Sequence, residues 1–396
     1  MIKIVHIGDL HLGGEYPEKA AASIDFLIEQ LHNDNSVASH PDIVVCTGDT
    51  TEKPLHVHSE HLRPLLKLIR SVTCPLVFLQ GTPSHEPYGF LHNLRQASGE
   101  SFTVLDTPGI TPVDIGFNEE KHFRLAALPA INKPMLSKWA VELGLPEGEP
   151  DDIIRSILLN IADRWKHFAG PKILLGHWSV TGCATASGQT LYASDLAIGL
   201  DDLALTNADA ILLGHIHKAQ HWGEPESPDF VAYCGSSYPC NWGELDPKSF
   251  NVLEFDEHSG LLIQWDKVPY PHRPMVKVDV VFTGRQIDGE WECIFGGSDW
   301  PPDFSDVEVK VVYSVPKEIA HQVDDMYIRL KLKQLGIDVA AIERTIRATN
   351  RERIADISSK ETTRSQYEAV CTAKSEEPRP GALAKADLVD EKVVAI

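Results

Sequence analysis

Four short apolar segments of this sequence lead directly into a glycine that is followed by an aspartate or a histidine. Apolar segments of this length, bounded by glycine, are typical of strands buried on both faces. Because functional residues gather beyond the carboxyl ends of strands in α/β sheets, we expect these polar side chains to lie together in space. The four segments and the residues that follow them are Ile2–Ile7 before Gly8, Asp9 and His11; Asp42–Thr47 before Gly48 and Asp49; Pro171–Leu175 before Gly176 and His177; and Ala210–Leu213 before Gly214, His215 and His217.

Segments with helical periodicity separate these strands along the chain. Apolar residues recur at helical spacing in Ala20–Leu31, His58–Ile69 and Ile153–Phe168. Alternation of short strands with amphipathic helices is typical of a layered α/β fold. We therefore predict one α/β domain over residues 1–270.

A second, smaller domain is predicted to follow Pro269–Pro274, because this proline-rich stretch favours a hinge. Residues 271–355 have the pattern of an α+β domain. Residues 356–396 are polar and predict a flexible C-terminal tail that could bind a partner. The predicted elements of the second domain are strands at Val276–Phe282 and Val307–Val315 and helices at Lys317–Leu335 and Val339–Ala348.

The acidic balance of the chain argues against a protein that coats DNA through its own charge. The 396 residues include 36 Lys and Arg against 57 Asp and Glu, for a formal net charge of -21. Non-specific DNA binding derives its free energy from Lys and Arg that displace counterions. A DNA substrate would therefore meet a small local patch, or a partner subunit would supply most of the affinity.

Cysteine usage and hydropathy predict a cytoplasmic protein without membrane contact. The seven cysteines are scattered, odd in number and without a C-x-x-C pair, which favours reduced thiols. Cys234 and Cys240 flank a Gly-Ser-Ser-Tyr-Pro segment, and we expect a structural role for them. No apolar segment approaches the roughly 20 residues of a membrane span, and the N-terminus has no signal-peptide pattern.

The aspartates and histidines after the four strands suit divalent metal ions. Any one such residue alone is more often structural, but four elements in order at strand ends are hard to obtain by chance. Carboxylate and imidazole together suit Mn²⁺, Fe²⁺ or Zn²⁺ better than Mg²⁺. Six ligands are too many for one open catalytic ion, so we predict two ions, roughly 3.5–4 Å apart, that clamp a phosphate.

The order D-x-H, G-D, G-H and G-H-x-H resembles the signature of calcineurin-like metallophosphoesterases. Within that family the chain resembles the SbcD-type nuclease subunits, on segments such as His177-Trp-Ser-Val-Thr-Gly and Leu213-Gly-His-Ile-His-Lys-Ala-Gln. The resemblance implies a four-layer αββα sandwich, a smaller α+β capping domain and a dinuclear centre. It also implies DNA cleavage in repair or recombination, an SbcC-type, SMC-like ATPase partner, a homodimer and Mn²⁺ as the metal, with Mg²⁺, Fe²⁺ or Zn²⁺ as alternatives.

The resemblance also assigns the ligands by position. Asp9, His11 and His217 would hold one ion, His177 and His215 would hold the other, and Asp49 would bridge the two.

One element departs from the family pattern of Gly-Asn-His followed by Asp or Glu. This chain has Gly81-Thr82-Pro83-Ser84-His85-Glu86, in which the asparagine ligand is missing and two residues are inserted. We predict that Ser84 replaces the asparagine as a ligand; Thr82 and water are the alternatives. His85 is predicted to stabilise charge or protonate the leaving oxygen, with Glu86 orienting its ring.

Two other functions remain open from the sequence. The same scaffold supports phosphatases and small-molecule phosphodiesterases. The altered loop at Gly81–Glu86 also permits a catalytically weakened adaptor that keeps the fold to bind its partner.

Overall fold

The computed structural model describes residues 1–112, 123–130, 132–145, 148–186, 189, 197–227, 230–296, 306–347, 360, 362–373 and 377–394. The strands are β1 Ile2–Ile7, β2 Ile43–Cys46, β3 Leu76–Leu79, β4 Thr103–Leu105, β5 Gly109–Pro112, β6 Arg124–Leu128, β7 Lys172–His177, β8 Ser179–Val180, β9 Ala197–Ile198, β10 Ala210–Gly214, β11 Gln220–Trp222, β12 Val231–Tyr233, β13 Ser249–Phe255, β14 Leu262–Pro269, β15 Met275–Ile287, β16 Glu290–Gly296, β17 Glu308–Pro316 and β18 Val339–Arg347. The α-helices are α1 Pro17–His32, α2 Arg63–Ser71, α3 Phe90–Ser98, α4 Lys133–Glu142, α5 Pro150–Trp165, α6 Leu200–Ala204, α7 Asp325–Gln334, α8 Thr363–Ala373 and α9 Pro380–Val394.

Two six-stranded sheets form the first part of the chain. The first has the order β14-β13-β1-β2-β3-β4, and the second has the order β11-β12-β10-β7-β6-β5. The strands β1 to β4 are parallel to one another, as are β6, β7, β10 and β12. The parallel strands of each sheet therefore place their carboxyl ends at one edge.

Each sheet is buried on both faces, which explains the continuous apolar strands of the sequence. In β1, Ile4 packs into a core between the two sheets, together with residues such as Leu175 of the second sheet. The next residue, Val5, faces the other way and packs with helices α1, α2 and α3. Helices α4, α5 and α6 cover the outer face of the second sheet. The predicted four-layer αββα fold is confirmed.

The chain divides into two compact units, Met1–Val276 with Asp306–Glu308, and Lys277–Ser305 with Val309–Ile396. The sequence places the division at residue 270, whereas in the structure it falls within β15. The second unit contains a four-stranded sheet in the order β16-β15-β17-β18, together with α7. Alternate residues of β17 are buried, the pattern of a strand with one covered face.

One predicted helix of the second unit is wrong. The sequence predicts a helix at Val339–Ala348, but residues 339–347 form strand β18, which pairs in parallel with β17. Because β18 is an edge strand and most of its residues are exposed, it lacks the alternating apolar pattern that identifies a strand. Its apolar residues Val339, Ile342 and Ile346 are spaced as in a helix, which misdirects the prediction. The helix predicted at Lys317–Leu335 is shorter in the structure, where it begins at Asp325.

The segment predicted as a flexible tail, residues 356–396, contains helices α8 and α9. Arg364 of α8 forms a salt bridge of 2.7 Å with Asp387 of α9, and the Asp390 carboxylate accepts a hydrogen bond of 2.7 Å from the Thr363 N–H. Polar contacts of this kind leave no apolar periodicity in the sequence.

Among all the helices that the structure describes, none is long and apolar enough to cross a membrane.

Candidate metal centre

The candidate site lies where β1, β2, β7 and β10 end. In the first sheet, the Asp9 N–H donates to the Gly48 carbonyl at 3.0 Å, and the His11 N–H donates to the Asp49 carbonyl at 3.0 Å. Across to the second sheet, the His215 N–H donates to the Asp9 carboxylate, with 2.9 Å to Oδ1. These hydrogen bonds hold strand ends from both sheets against one another.

The backbone at four of the predicted ligands lies in the left-handed region. The φ angles of Asp9, His11, Asp49 and His215 are 49°, 43°, 49° and 86°. A residue other than glycine in this region costs on the order of 1–3 kcal/mol and persists only where its surroundings fix it. The backbone conformation that directs these four side chains toward the candidate site therefore lowers the free energy of unfolding.

Two glycines let the loops approach closely. Gly48 has a φ of 95°, and a Cβ atom there would overlap the His177 ring and the Cα atom of Gly81. A Cβ atom on Gly81 would overlap the backbone nitrogen and the carboxylate of Asp49. Any side chain at either position would therefore push the ligand loops apart.

Two groups of ligand atoms share Asp49. The atoms of Asp9, His11 and Asp49 lie within 4.8 Å of one another, and so do those of Asp49, His177 and His215. An aspartate common to two groups is in the position of a bridge between two ions. The structure thus brings together all six aspartates and histidines that the sequence predicts as ligands: Asp9, His11, Asp49, His177, His215 and His217, whose ring centroid lies 4.6 Å from that of His11.

The donor atoms fit divalent cations. His11 Nε2 is buried and has no hydrogen-bond partner among the described residues, an arrangement that costs about 1–3 kcal/mol unless something binds there. The Nδ1 atom of His177 lies 2.6 Å from the Thr47 carbonyl oxygen and donates to it, so its Nε2 faces Asp49 Oδ2 at 3.2 Å. With an ion bound, Nδ1 would keep its proton and Nε2 would offer its lone pair to the ion. A set of carboxylate oxygens and imidazole nitrogens suits Mn²⁺, Fe²⁺ or Zn²⁺.

The charges of the site are strongly coupled. Burial opposes ionisation of Asp49, but the adjacent imidazolium of His177 holds the pKa of this carboxyl well below its usual range. Burial likewise opposes protonation of His177, but the Asp49 carboxylate raises the pKa of the ring above its usual value. Burial and the positive charge of His177 lower the pKa of His215 to about 3. Without an ion, a proton on His177 therefore balances the Asp49 charge.

Thr82, not Ser84, occupies the place next to the second ligand group. The Thr82 hydroxyl donates to Asp49 Oδ2 at 3.2 Å and lies 3.2 Å from His177 Nε2. Its backbone N–H donates to Asp49 Oδ1 at 2.6 Å. Ser84 is exposed and does not line the cavity at the site. Because two residues are inserted, the loop turns so that the hydroxyl of Thr82 faces the ligands and that of Ser84 does not.

His85 reaches the site, but Glu86 does not orient its ring. The ring centroids of His85 and His11 are 5.3 Å apart, and His85 Nδ1 lies 3.9 Å from Glu52 Oε2. The buried Glu86 carboxylate instead accepts hydrogen bonds from the Thr50 N–H and hydroxyl and from the Gly81 N–H. These contacts tie the Glu86 side chain to Thr50 and Gly81 and not to the His85 ring.

Two acidic residues near the ligands are absent from the sequence-based prediction. Glu52 Oε2 lies 2.7 Å from His11 Nδ1. Glu244 Oε1 lies 2.8 Å from His217 Nδ1, and Glu244 Oε2 accepts a hydrogen bond of 2.6 Å from Lys248 Nζ. Histidines that bind metals commonly donate their second ring nitrogen to such a carboxylate. Glu244 lies 27 residues beyond His217, and the only sequence signal that involves it is its i, i+4 spacing from Lys248.

An open cavity of about 510 Å³ adjoins the ligands. Its lining includes Asp49, Thr82, His85 and His217, together with Cys240. The predicted ligands therefore border a space that can admit a phosphate ester.

These features match a known family. The model of the calcineurin-like phosphoesterases matches residues 2–219, and the chain belongs to that family. The relatives include the SbcD subunit of the nuclease SbcCD from Escherichia coli K12 and the protein of the same name from Escherichia coli O157:H7. Each is 25% identical over 397 residues, covering 91% of both chains. The resemblance to the SbcD-type subunits is thereby confirmed over nearly the whole chain.

A solved structure with similarity is that of a putative 5'-nucleotidase from Staphylococcus aureus in complex with alpha-ketoglutarate. It is 14% identical, with a TM-score of 0.39 over 68% of this chain and 54% of that chain.

Proposed function

We propose that this protein is a metal-dependent DNA nuclease, the cleaving subunit of a complex with an SbcC-type ATPase. The observation that carries the proposal is the set of six converging ligands with a shared Asp49, in a chain similar over 91% of its length to a nuclease subunit. Membership in the family supports phosphoesterase activity. The choice of DNA as the substrate rests on the similarity to the SbcD subunit.

The ligand geometry supports hydrolysis of a phosphodiester. When bound, two divalent ions would clamp the phosphate, activate a water molecule and stabilise the departing oxygen. Asp9, His11 and His217 would hold one ion, His177 and His215 the other, and Asp49 both. Thr82 is the oxygen donor that we propose in place of the missing asparagine, because its hydroxyl contacts both Asp49 and His177.

His85 is the residue that we propose to hold the proton for the leaving oxygen. It lines the cavity, and its ring is partly exposed, with 28% of the side-chain surface accessible. Glu52 lies on the Nδ1 side of the ring at 3.9 Å, so that Nε2 is the atom available to a substrate. A general acid needs such access to the reacting group.

The acidic chain supports a division of labour in the complex. With a net charge of -21, this subunit has little sequence-independent attraction for a phosphate backbone. We propose that the ATPase supplies most of the affinity for DNA, that the second unit acts as the capping domain and that two copies associate. All seven cysteines are free thiols, in keeping with the reducing cytoplasm.

A cleavage assay tests the proposal. The wild-type protein is offered linear duplex DNA, single-stranded DNA and a generic phosphodiester, with Mn²⁺ and with the ATPase partner present or absent. We expect DNA cleavage that is abolished in Asp49→Asn and reduced about 10²–10⁴-fold in His85→Ala, the usual loss for a general acid. The matched controls are Asp34→Asn and His258→Ala, whose side chains are 84% and 89% exposed.

Each outcome separates the proposal from its alternatives. Cleavage of the small ester alone indicates a small-molecule phosphodiesterase. Absence of cleavage under every metal, with the partner bound, indicates an adaptor subunit and contradicts the nuclease.

A further inference from the structure

Cys240 lies beside two of the metal-binding histidines. Its Sγ atom, one ring nitrogen of His11 and one ring nitrogen of His217 all lie within 4.8 Å of one another. We propose that Cys240 is a thiolate ligand of the ion held by His11 and His217, and that this position therefore selects Zn²⁺ over Mn²⁺. The proposal rests on the metal centre of the proposed function and adds a ligand and a metal preference to it.

The two histidines have nitrogen atoms to offer. His11 is 1% exposed, and its Nε2 has no hydrogen-bond partner among the residues of the described ranges. The Nδ1 atom of His217 is occupied by Glu244 at 2.8 Å, so the ring presents Nε2 to an ion. The unpartnered buried nitrogen of His11 is an observation independent of the cysteine, and it too calls for a ligand at this histidine.

The loop that carries Cys240 is fixed relative to both histidines. The Glu244 carboxylate accepts hydrogen bonds from His217 Nδ1 and, at 3.1 Å, from the backbone N–H of Cys240. The Tyr238 hydroxyl donates to the His11 carbonyl at 2.8 Å. Glu244 thus positions both His217 and Cys240. Tyr238 attaches the same loop to His11.

The thiol itself has only a weak partner. It donates to the Tyr238 carbonyl, whose oxygen lies 3.6 Å from Sγ. On binding an ion, the thiol proton would pass to solvent and the sulfur lone pair would form the bond to the metal. The carboxylates of Asp9 and Glu52 lie 3.9 Å and 2.7 Å from the two ring nitrogens of His11, and their negative charge favours a cation there.

Thiolate changes the metal preference of a site. Thiolates favour Zn²⁺ over Mn²⁺, whereas carboxylates suit Mn²⁺. The group of Asp49, His177 and His215 contains no sulfur. The two positions of the centre therefore differ in chemistry, and a centre with two different metals follows.

Cobalt is the probe that tests this inference, because a Co²⁺–thiolate bond gives a charge-transfer absorption in the near ultraviolet that oxygen and nitrogen ligands do not give. Metal-free wild type, Cys240→Ser and the matched control Cys293→Ser, a cysteine of the second unit, are titrated with Co²⁺. Bound cobalt is counted by equilibrium dialysis, and folding is checked by circular dichroism. We expect the absorption in wild type and Cys293→Ser and its loss in Cys240→Ser.

A competition experiment with a chelator measures the preference. We expect Cys240→Ser to weaken Zn²⁺ binding by about tenfold or more while Mn²⁺ affinity stays within about threefold. Cobalt that binds to wild type without the charge-transfer absorption overturns the role of Cys240 and leaves the metal centre standing. An absorption that persists in Cys240→Ser overturns it as well. Failure of wild type to bind cobalt at all overturns the metal centre itself, and the role of Cys240 with it.

Discussion

Glu244 and Lys248 form a buried ion pair whose side chains are 0% and 1% exposed. The Lys248 ammonium also donates to the Ser236 hydroxyl at 2.8 Å and to the His217 carbonyl at 3.2 Å. Glu244 also contacts His217 Nδ1, so the pair adjoins one of the proposed metal ligands. Removal of one partner from a buried pair costs about 3–5 kcal/mol, because the other charge stays without compensation.

We expect Glu244→Gln to lower metal affinity about 10–100-fold, the usual effect of losing a carboxylate behind a histidine ligand, and to lower the free energy of unfolding. Isothermal titration with Mn²⁺ and urea unfolding measure the two effects. The double variant Glu244→Gln with Lys248→Met separates them: stability should return while affinity stays low. Recovery of both would show that Glu244 acts on the fold alone.

The Thr82 hydroxyl gives a second test at the scale of single residues. Thr82→Val keeps the shape of the side chain and removes the oxygen that contacts Asp49 and His177. We expect weaker binding of one of the two ions, seen as a reduced metal count at limiting Mn²⁺. Ser84→Ala is the matched control and should leave the count unchanged. If the two variants behave in the opposite way, Ser84 is the ligand.

The buried carboxyl of Glu86 should make the free energy of unfolding depend on pH. Burial raises the pKa of its carboxyl to about 7, although hydrogen bonds from Thr50 oppose the rise. The folded state therefore binds a proton that the unfolded state has released between about pH 4.5 and pH 7, and stability contributed by Glu86 is lost as the pH rises through this window.

We expect Glu86→Gln, which is uncharged at every pH, to be more stable than wild type by about 1–3 kcal/mol near pH 8. The difference should shrink near pH 5, where wild-type Glu86 is protonated. Urea unfolding at both pH values measures it, with the exposed Glu224→Gln as control. A constant difference would contradict the raised pKa.

At the scale of elements, the sequence predicts best those strands that are buried on both faces. Strands β1, β2, β7 and β10 are predicted within one or two residues, because burial of both faces makes them continuous apolar segments. The edge strand β18 is missed because its exposed side chains carry no such constraint.

Residues of the site that adjoin buried strands could be predicted from the sequence, and those in other loops could not. Asp9 and Asp49 come soon after such strands and His177 ends one, so their positions could be predicted. Glu244 and Cys240 come from a loop, and only tertiary contacts bring them to His217. The sequence predicts Ser84 as the oxygen ligand of the irregular loop. The structure instead places the Thr82 hydroxyl beside Asp49, because an insertion changes the path of the backbone.

Helix α7 of the second unit allows a test of local stability. The Asp324 carboxylate accepts a hydrogen bond of 2.8 Å from the Tyr327 N–H and caps the helix. We expect Asp324→Ala to lower the free energy of unfolding by about 0.5–2 kcal/mol. Asp324→Asn, which keeps a capping side chain, should lose almost none of it. Thermal unfolding of both variants beside the control Asp338→Ala measures the effect, and equal losses in all three would contradict a capping role.

For the whole molecule, the division into two units predicts where an ion acts. All proposed ligands belong to the first unit. Binding to the folded state alone stabilises it by about 2.7 kcal/mol at a ligand concentration of 100 times Kd. We expect Mn²⁺ to slow hydrogen exchange in peptides that contain the ends of β1, β2, β7 and β10, and to leave peptides of β17 unchanged. Protection spread equally over both units would contradict a centre confined to the first.

The hydrogen bond from the His215 N–H to the Asp9 carboxylate joins residues 206 positions apart. A ribosome has therefore made more than half of the chain before the His215 N–H that binds the Asp9 carboxylate exists. Until then, the aspartates and histidines of the first strands cannot retain an ion in the geometry of the folded site. An ion held by the ligands that we propose would therefore be loaded only at a late stage of synthesis, when residues of both sheets are present.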